Sequence, residues 1–112
     1  MAASGAPTAL RIGGRTWDIQ HHHPDRMGDC MGLCRYAEGV IEIRMGQADF
    51  ELRDTMLHEV LHAVLYHQGR SGNASEEETF VRATATGLIG VLQDNPLFAK
   101  WLVKPLNKPQ AT

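Results

Sequence analysis

The segment Asp54-Thr-Met-Leu-His-Glu-Val-Leu-His-Ala-Val-Leu-Tyr66 decides the fold of this chain. It holds no proline or glycine and is flanked by good helix formers, so it predicts an α-helix. In a helix, His58 and His62 lie one turn apart on the same face, where two imidazoles can bind one metal ion. A separate apolar stripe is available to pack this helix against a core: Leu57, Val60, Leu61, Val64 and Leu65.

Glu59 follows the first histidine and is offset from a metal shared by the two rings. It is still near enough to take a proton from a water on that metal. Two histidine ligands, an open coordination position and a free carboxylate are what a zinc hydrolase needs. The pattern therefore predicts Zn²⁺ as the cofactor and Glu59 as the catalytic residue. The alternative is a metal-free helical interaction domain with surface histidines.

The composition is that of one small domain of 112 residues, expected to span residues 8–104 with flexible termini at 1–7 and 105–112. The net charge of −2 and the lack of a basic stripe argue against nucleic acid as a partner. No apolar run approaches the roughly 20 residues of a membrane span, so no membrane partner is expected. The first residues show neither a basic nor an apolar signal region, which favours the cytoplasm.

The first half of the chain has the patterns of β-strands. An alternating segment at 10–19 contains a Gly-Gly pair suited to a tight turn, and the segment 21–32 has the composition of a loop. Further strands are predicted at Leu33–Tyr36 and Val40–Met45, with one face of the latter buried. We expect these strands to form a small antiparallel sheet. Val40–Met45 is a candidate edge strand that could bind an extended substrate.

Helices are predicted in the second half. The histidine helix should run from about 50 to 68, with Asp49 as its N-cap and Gly69 as a left-handed stop. A second helix is expected over 76–94, where Gly87 and Gly90 suggest the close approach of another element. Its packing face should consist of Val81, Ala85, Leu88 and Leu92. A short helix over 97–103 should pack back onto these elements, giving an α+β fold.

A catalytic zinc site needs a third protein ligand. A histidine ten residues after His58 would supply one in a known class of zinc peptidases. Gln68 occupies that position, and His67 is one residue short and faces another way. The other common solution is a glutamate from a following helix. The candidates that open the second helix are Glu76, Glu77 and Glu78.

The acidic residues of this first turn also have explanations that need no metal, because the helix dipole favours them there. Ser75 and Glu78 form a capping-box pattern, which explains the presence of Glu78 without any metal. Glu77 shares a face with Val81 and Ala85, where we expect contact with the histidine helix. Glu77 is therefore the preferred third ligand, with Glu78 as the alternative and Glu76 next.

Two cysteines lie close together in the loop region. We expect Cys30 and Cys34 to be free thiols in a reducing compartment rather than a disulfide. A second metal site that combines them with the run His21–His23 is a weaker possibility, since the spacing is not a familiar zinc pattern. The three histidines alternatively belong to a solvated loop.

The order of the motifs resembles one known family. An Ile-x-Ile strand precedes Leu-Arg-Asp-Thr-x-Leu-His-Glu-x-Leu-His-Ala, a Glu-Glu pair and a final Asp94-Asn95-Pro96. Over about residues 8–98 this resembles the small zincin-like metallopeptidases of bacteriophages and prophages, related to the minimal gluzincins of the ImmA/IrrE and SprT-like kind. The resemblance implies a minimal zincin fold, with His58 and His62 as zinc ligands. It also implies Glu59 as general base and acid, and Glu77 or Glu78 as third ligand.

The expected function is that of a zinc-dependent endopeptidase that hydrolyses peptide bonds through a zinc-activated water, with Glu59 as general base. Tyr66 or His67 is a candidate for a further oxyanion or substrate contact. The alternative is a non-catalytic, zinc-stabilised module that binds or regulates a peptide without cutting it. Either function takes a peptide or protein as partner, in the host cytoplasm if the chain is phage-encoded.

Overall fold

The first half of the chain forms four strands, in a computed structural model that describes residues 5–70 and 73–106. The strands are β1 (Ala9–Ile12), β2 (Arg15–His22), β3 (Gly32–Arg35) and β4 (Val40–Arg44). They make one mixed sheet in the order β1-β2-β4-β3. The α+β fold is confirmed. The expectation of flexible termini falls partly on 1–4 and 107–112, which lie outside the described residues.

The pairing of β2 with β4 differs from the prediction. Both hairpins, β1–β2 and β3–β4, are antiparallel, and Gly13 and Gly14 make the first turn with φ of 61° and 78°. The two central strands are parallel, however, with Asp18 opposite Val40. The wholly antiparallel sheet was therefore wrong. The segment 23–31, with a 3₁₀ turn at Pro24–Arg26, carries the chain past the place of β4 to the outer edge.

This strand order also corrects two smaller expectations. β4 lies between β2 and β3, so the segment Val40–Met45 is not an edge strand; that position belongs to β3. β2 continues through His21 and His22, which were expected in a loop, because both pair with residues of β4. The edge strands of the sheet are therefore β1 and β3, and both contact α1.

Three helices follow: α1 (Asp49–His67), α2 (Ala74–Asp94) and α3 (Pro96–Val103). The C-terminal stop of α1 is confirmed, because Gly69 has a φ of 69°. Its N-cap is Ala48 rather than Asp49, which is the first helical residue and accepts a hydrogen bond from Arg53. Within the described residues, no helix is both long and apolar enough to cross a membrane.

The helix α1 lies between the sheet and α2. The core on its sheet side contains Ile12, Trp17, Ile19, Ile41, Ile43 and Ala63. Trp17 Nε1 donates a hydrogen bond to Nε2 of His67 (2.9 Å), which fixes the C-terminal end of α1 on β2. One face of α1 therefore packs against the sheet and another packs against α2.

The packing face of α2 is shifted from the predicted one. Its buried residues are Val81, Ala85 and Ile89, which follow a spacing of four, whereas Leu88 is 41% exposed. A Cβ added at Gly87 or Gly90 would meet no atom within 4 Å, so neither glycine marks a close approach as expected. The short helix α3 contacts α2 but leaves most of its apolar surface exposed.

Candidate metal centre

Two histidine rings of α1 and one carboxylate of α2 converge on a single point. The Nε2 atoms of His58 and His62 lie 3.2 Å and 3.0 Å from the same oxygen, Oε1 of Glu78. The two rings have centroids 5.0 Å apart, as expected for side chains one helical turn apart. The three ligand atoms all lie within 4.8 Å of one another. This spacing suits donors that share one metal ion.

Glu78 reaches this point because of how α2 begins. The N-cap is Asn73, whose side chain accepts a hydrogen bond from the backbone N–H of Glu76 (3.0 Å). Ser75 therefore lies inside the helix, and the capping box with Glu78 does not form. The other carboxylate oxygen of Glu78 accepts a hydrogen bond from Arg82 (2.9 Å), one turn further along α2. Oε1 is left to face the histidines.

Glu77, the preferred third ligand from the sequence, lies on a different side of His62. Its Oε2 is 2.5 Å from Nδ1 of that ring, whereas Glu78 lies against Nε2. The sequence argument placed Glu77 correctly on the face that packs toward α1. It did not resolve which nitrogen of the ring that face meets, and the next residue along α2 reaches both Nε2 atoms. The geometry therefore favours Glu78 over Glu77 as the ligand.

The charges around the site are strongly coupled. Burial by itself lowers the pKa of His62, but hydrogen bonds to Glu77 and Glu78 outweigh it and leave the pKa raised. Burial by itself raises the pKa of Glu78. The contacts with His62 and His58 have the larger, opposite effect, so the pKa of Glu78 is lowered overall. In the absence of a metal, a proton on His62 thus helps to balance the carboxylates. A cation at the same point would take over that role.

Glu59 is buried beside the histidines without sharing their common point. It is 7% exposed and is the only charged side chain buried among the described residues. Burial raises its pKa to about 7; the nearby His62 acts against this shift and Glu78 adds to it. A carboxyl group with such a pKa can both take up and release a proton near neutral pH. This fits the role predicted for it.

Two residues of β3 and Tyr36, which directly follows it, line one side of the site, and sequence reasoning did not place them there. Gly32 lies so close to α1 that an added Cβ would be 2.9 Å from Oε2 of Glu59. Cys34 and Tyr36 follow on the same face of the strand; burial raises the pKa of the Cys34 thiol to about 12, and Glu59 and Glu77 add to it. The sequence could have indicated that these residues share a face, because alternate residues of a strand point to the same side of the sheet.

Tyr66 and His67, the candidates for an oxyanion or substrate contact, make other contacts. Tyr66 stacks on Tyr36 with ring centroids 5.0 Å apart, and His67 accepts the hydrogen bond from Trp17. Neither belongs to the group of convergent ligand atoms. The structure gives both a packing role between α1 and the sheet.

The second metal site considered from the sequence is not assembled. His21 and His22 contact Pro7 and Gln20, and His23 accepts a hydrogen bond from the backbone of Asp25. Cys30 and Cys34 are free thiols, as predicted. Across residues 5–70 and 73–106, the search for convergent histidine, cysteine and acidic ligands finds only the group of His58, His62 and Glu78.

The donor set of this group fits zinc. Two imidazole nitrogens and one carboxylate oxygen form one of the known ligand sets of catalytic zinc sites, which leave a fourth position open. Nδ1 of His62 contacts the carboxylate of Glu77, whereas Nε2 is the nitrogen that belongs to the convergent group. The comparisons with protein-family models, curated proteins and solved structures find no match.

Proposed function

We propose that the protein is a zinc-dependent metallopeptidase of the HExxH…E type, with His58, His62 and Glu78 as the metal ligands. The observation that carries the proposal is the convergence of two Nε2 atoms on one carboxylate oxygen, beside a buried glutamate that is not part of the convergence. A structural zinc site is usually closed by four protein ligands and has no need of such a neighbour. Three ligands and a free carboxylate favour catalysis.

When bound, zinc would supply Lewis-acid chemistry, lowering the pKa of water and polarising the carbonyl of a peptide bond. The residues of the chain divide the remaining work. His58, His62 and Glu78 hold the ion, and Glu59 accepts a proton from the attacking water. Glu59 then delivers that proton to the nitrogen of the leaving amine. Its pKa, raised by burial, suits a group that must act first as base and then as acid.

The edge strand β3 is the proposed docking place for an extended peptide. The backbone N–H of Arg44 donates to Met31 O (2.9 Å), so Met31 and Arg44 are a hydrogen-bonded pair. In the antiparallel β3–β4 ladder, hydrogen-bonded pairs alternate with pairs that are not hydrogen-bonded. By that alternation the backbone groups of Gly32 and Cys34 point away from β4, toward the free edge. A peptide added there as a further strand would pass beside Glu59, since Gly32 contacts that side chain.

The wider context stays a proposal as well. The resemblance to small phage and prophage zincin-like peptidases accounts for the ligand pattern. We place the protein in the cytoplasm, because Cys30 and Cys34 are free thiols and a reducing compartment would keep them so. The expected partner is a peptide or protein substrate.

A cleavage assay on a diverse peptide library, with zinc content measured in parallel, tests the proposal. Glu59→Gln should keep zinc, since Glu59 is not a ligand, and should lower cleavage by about 100-fold or more. Glu76→Gln is the matched control. The substitution removes the same charge, and Glu76 is exposed on the same helical turn as the proposed ligand Glu78. Cleavage by Glu59→Gln at the wild-type rate would reject the mechanism. A zinc-loaded wild type that cuts no peptide would favour the non-catalytic module.

A further inference from the structure

His62 has a carboxylate on each of its ring nitrogens, and the two carboxylates differ in their surroundings. Glu78, on Nε2, also contacts His58, and its side chain is 39% exposed. Glu77, on Nδ1, contacts only His62 of the two histidines, and its side chain is 10% exposed. A carboxylate that is deprotonated can only accept, so the short Nδ1 contact requires the proton on Nδ1. The ring then offers Nε2 to a metal.

We propose that Glu77 is a positioning residue, which fixes the orientation and tautomer of His62 by accepting its Nδ1–H. The inference rests on the proposed zinc site and deepens it. Its basis is the 2.5 Å contact between Oε2 of Glu77, on α2, and Nδ1 of His62, on the metal-binding face of α1.

Glu77 is poorly placed to bind the metal directly. Nδ1 and Nε2 lie on different sides of an imidazole ring, so a carboxylate on Nδ1 is directed away from an ion on Nε2. Glu77 is not a member of the convergent group formed by His58, His62 and Glu78. Its influence on the metal therefore passes through His62. Partners of this kind typically change metal affinity by about 10–100-fold.

Zinc affinity, measured by competition with a chelator, tests the role of Glu77. Glu77→Ala should weaken zinc binding by about 10–100-fold. Glu77→Gln should lose less, because an amide oxygen still accepts the Nδ1–H. Glu76→Gln, the exposed neighbour, should bind zinc like the wild type. Zinc binding by Glu77→Ala within about twofold of the wild type would overturn the inference. So would losses in Glu77→Gln as large as in Glu78→Gln, which would make Glu77 a ligand.

Nitrogen NMR of the histidine rings in the zinc-loaded wild type gives a readout that does not depend on any variant folding. We expect a proton on Nδ1 of His62 and the metal on Nε2; the opposite arrangement would overturn the inference. The two proposals fail differently. A wild type that binds no zinc rejects the metallopeptidase itself, and with it this inference. A wild type that binds zinc with Nδ1 of His62 unprotonated rejects only the role of Glu77.

Discussion

Glu59 has its position because Gly32 leaves room for it. A Cβ at position 32 would lie 2.9 Å from Oε2 of Glu59 and 2.8 Å from Cγ2 of Thr55, both closer than such atoms approach in practice. Glycine is needed at position 32 for space and not for backbone conformation, since Gly32 is not in the left-handed region. The edge strand and the proposed general base are therefore in direct contact.

Gly32→Ala should lower peptidase activity by about tenfold or more while zinc content stays unchanged. The added methyl group displaces the Glu59 carboxylate, and a loss of about 1.4 kcal/mol in transition-state stabilisation is tenfold in rate. Gly87→Ala is the control for a glycine-to-alanine change, because a Cβ there meets no atom within 4 Å. Wild-type activity in Gly32→Ala would show that the placement of Glu59 tolerates a shift.

The stability of the metal-free protein should fall as pH rises from about 4.5 to 7. The pKa of Glu59 is raised from 4.5 to about 7, so the folded state binds more protons than the unfolded state in this window, and ionisation destabilises it. His62 acts in the same direction: its pKa is also raised, so its stabilising contribution is lost as pH rises through the folded value. Glu78, whose pKa is lowered, loses its contribution only at more acidic pH.

Urea unfolding in the presence of a chelator, at pH 5 and pH 7.5, measures this effect. The Glu59 part amounts to at most about 3 kcal/mol, at 1.36 kcal/mol per pKa unit. Glu59→Gln should reduce the dependence, because an amide does not titrate. A wild-type stability that increases between these pH values would contradict the assignment of a buried, protonated Glu59.

At the scale of the elements, the features fixed by local sequence were predictable. The helix α1, its stop at Gly69 and the turn at Gly13-Gly14 follow from helix formers and from glycines that accept positive φ. The parallel pairing of β2 with β4 was missed because it depends on where residues 23–31 carry the chain, which no local pattern encodes.

The part of the site that lies on α1 was likewise predictable, and the part on α2 was not. His58, Glu59 and His62 lie on one helix, and their relative placement follows from helical geometry alone. The proposed third ligand comes from another helix, and the choice between Glu77 and Glu78 depends on the rotation of α2 about its axis. That rotation is set by the packing of Val81, which the sequence predicted, and by the cap at Asn73, which it did not.

Gly87→Ala should stabilise α2 and the protein with it. Glycine in a helix interior costs about 0.8–1.0 kcal/mol relative to alanine, and an added methyl group has open space here. Chemical unfolding should therefore show a gain of up to about 1 kcal/mol for this variant. The same substitution at Gly90 should act alike. A loss of stability in either variant would mean that the helix needs its glycine for a contact outside the described residues or with a partner.

At the scale of the whole molecule, the proposed metal connects α1 with the start of α2. Glu77 also contacts His62, and a hydrogen bond from Thr86 to Asp54 (3.0 Å) joins the two helices further along α2. An ion bound by His58, His62 and Glu78 would thus couple folding to metal binding. The site draws on β3, α1 and α2 together, so it forms only when the three layers are assembled.

Zinc should raise the thermal midpoint of unfolding, and more at pH 7.5 than at pH 5. Binding to the folded state alone stabilises by about 4 kcal/mol when free zinc is 1,000 times its dissociation constant. The ligands must be deprotonated to bind the ion, so the effect grows with pH. Glu78→Gln should abolish most of the increase. An equal increase in the wild type and in Glu78→Gln would mean that zinc acts elsewhere.

The zinc stoichiometry of the purified protein, measured by elemental analysis, tests the central claim most directly. We expect one zinc ion per chain in the wild type and in Glu76→Gln, and close to none in Glu78→Gln. A wild type without zinc that also fails to take it up, or a Glu78→Gln variant that keeps a full equivalent, would contradict the account.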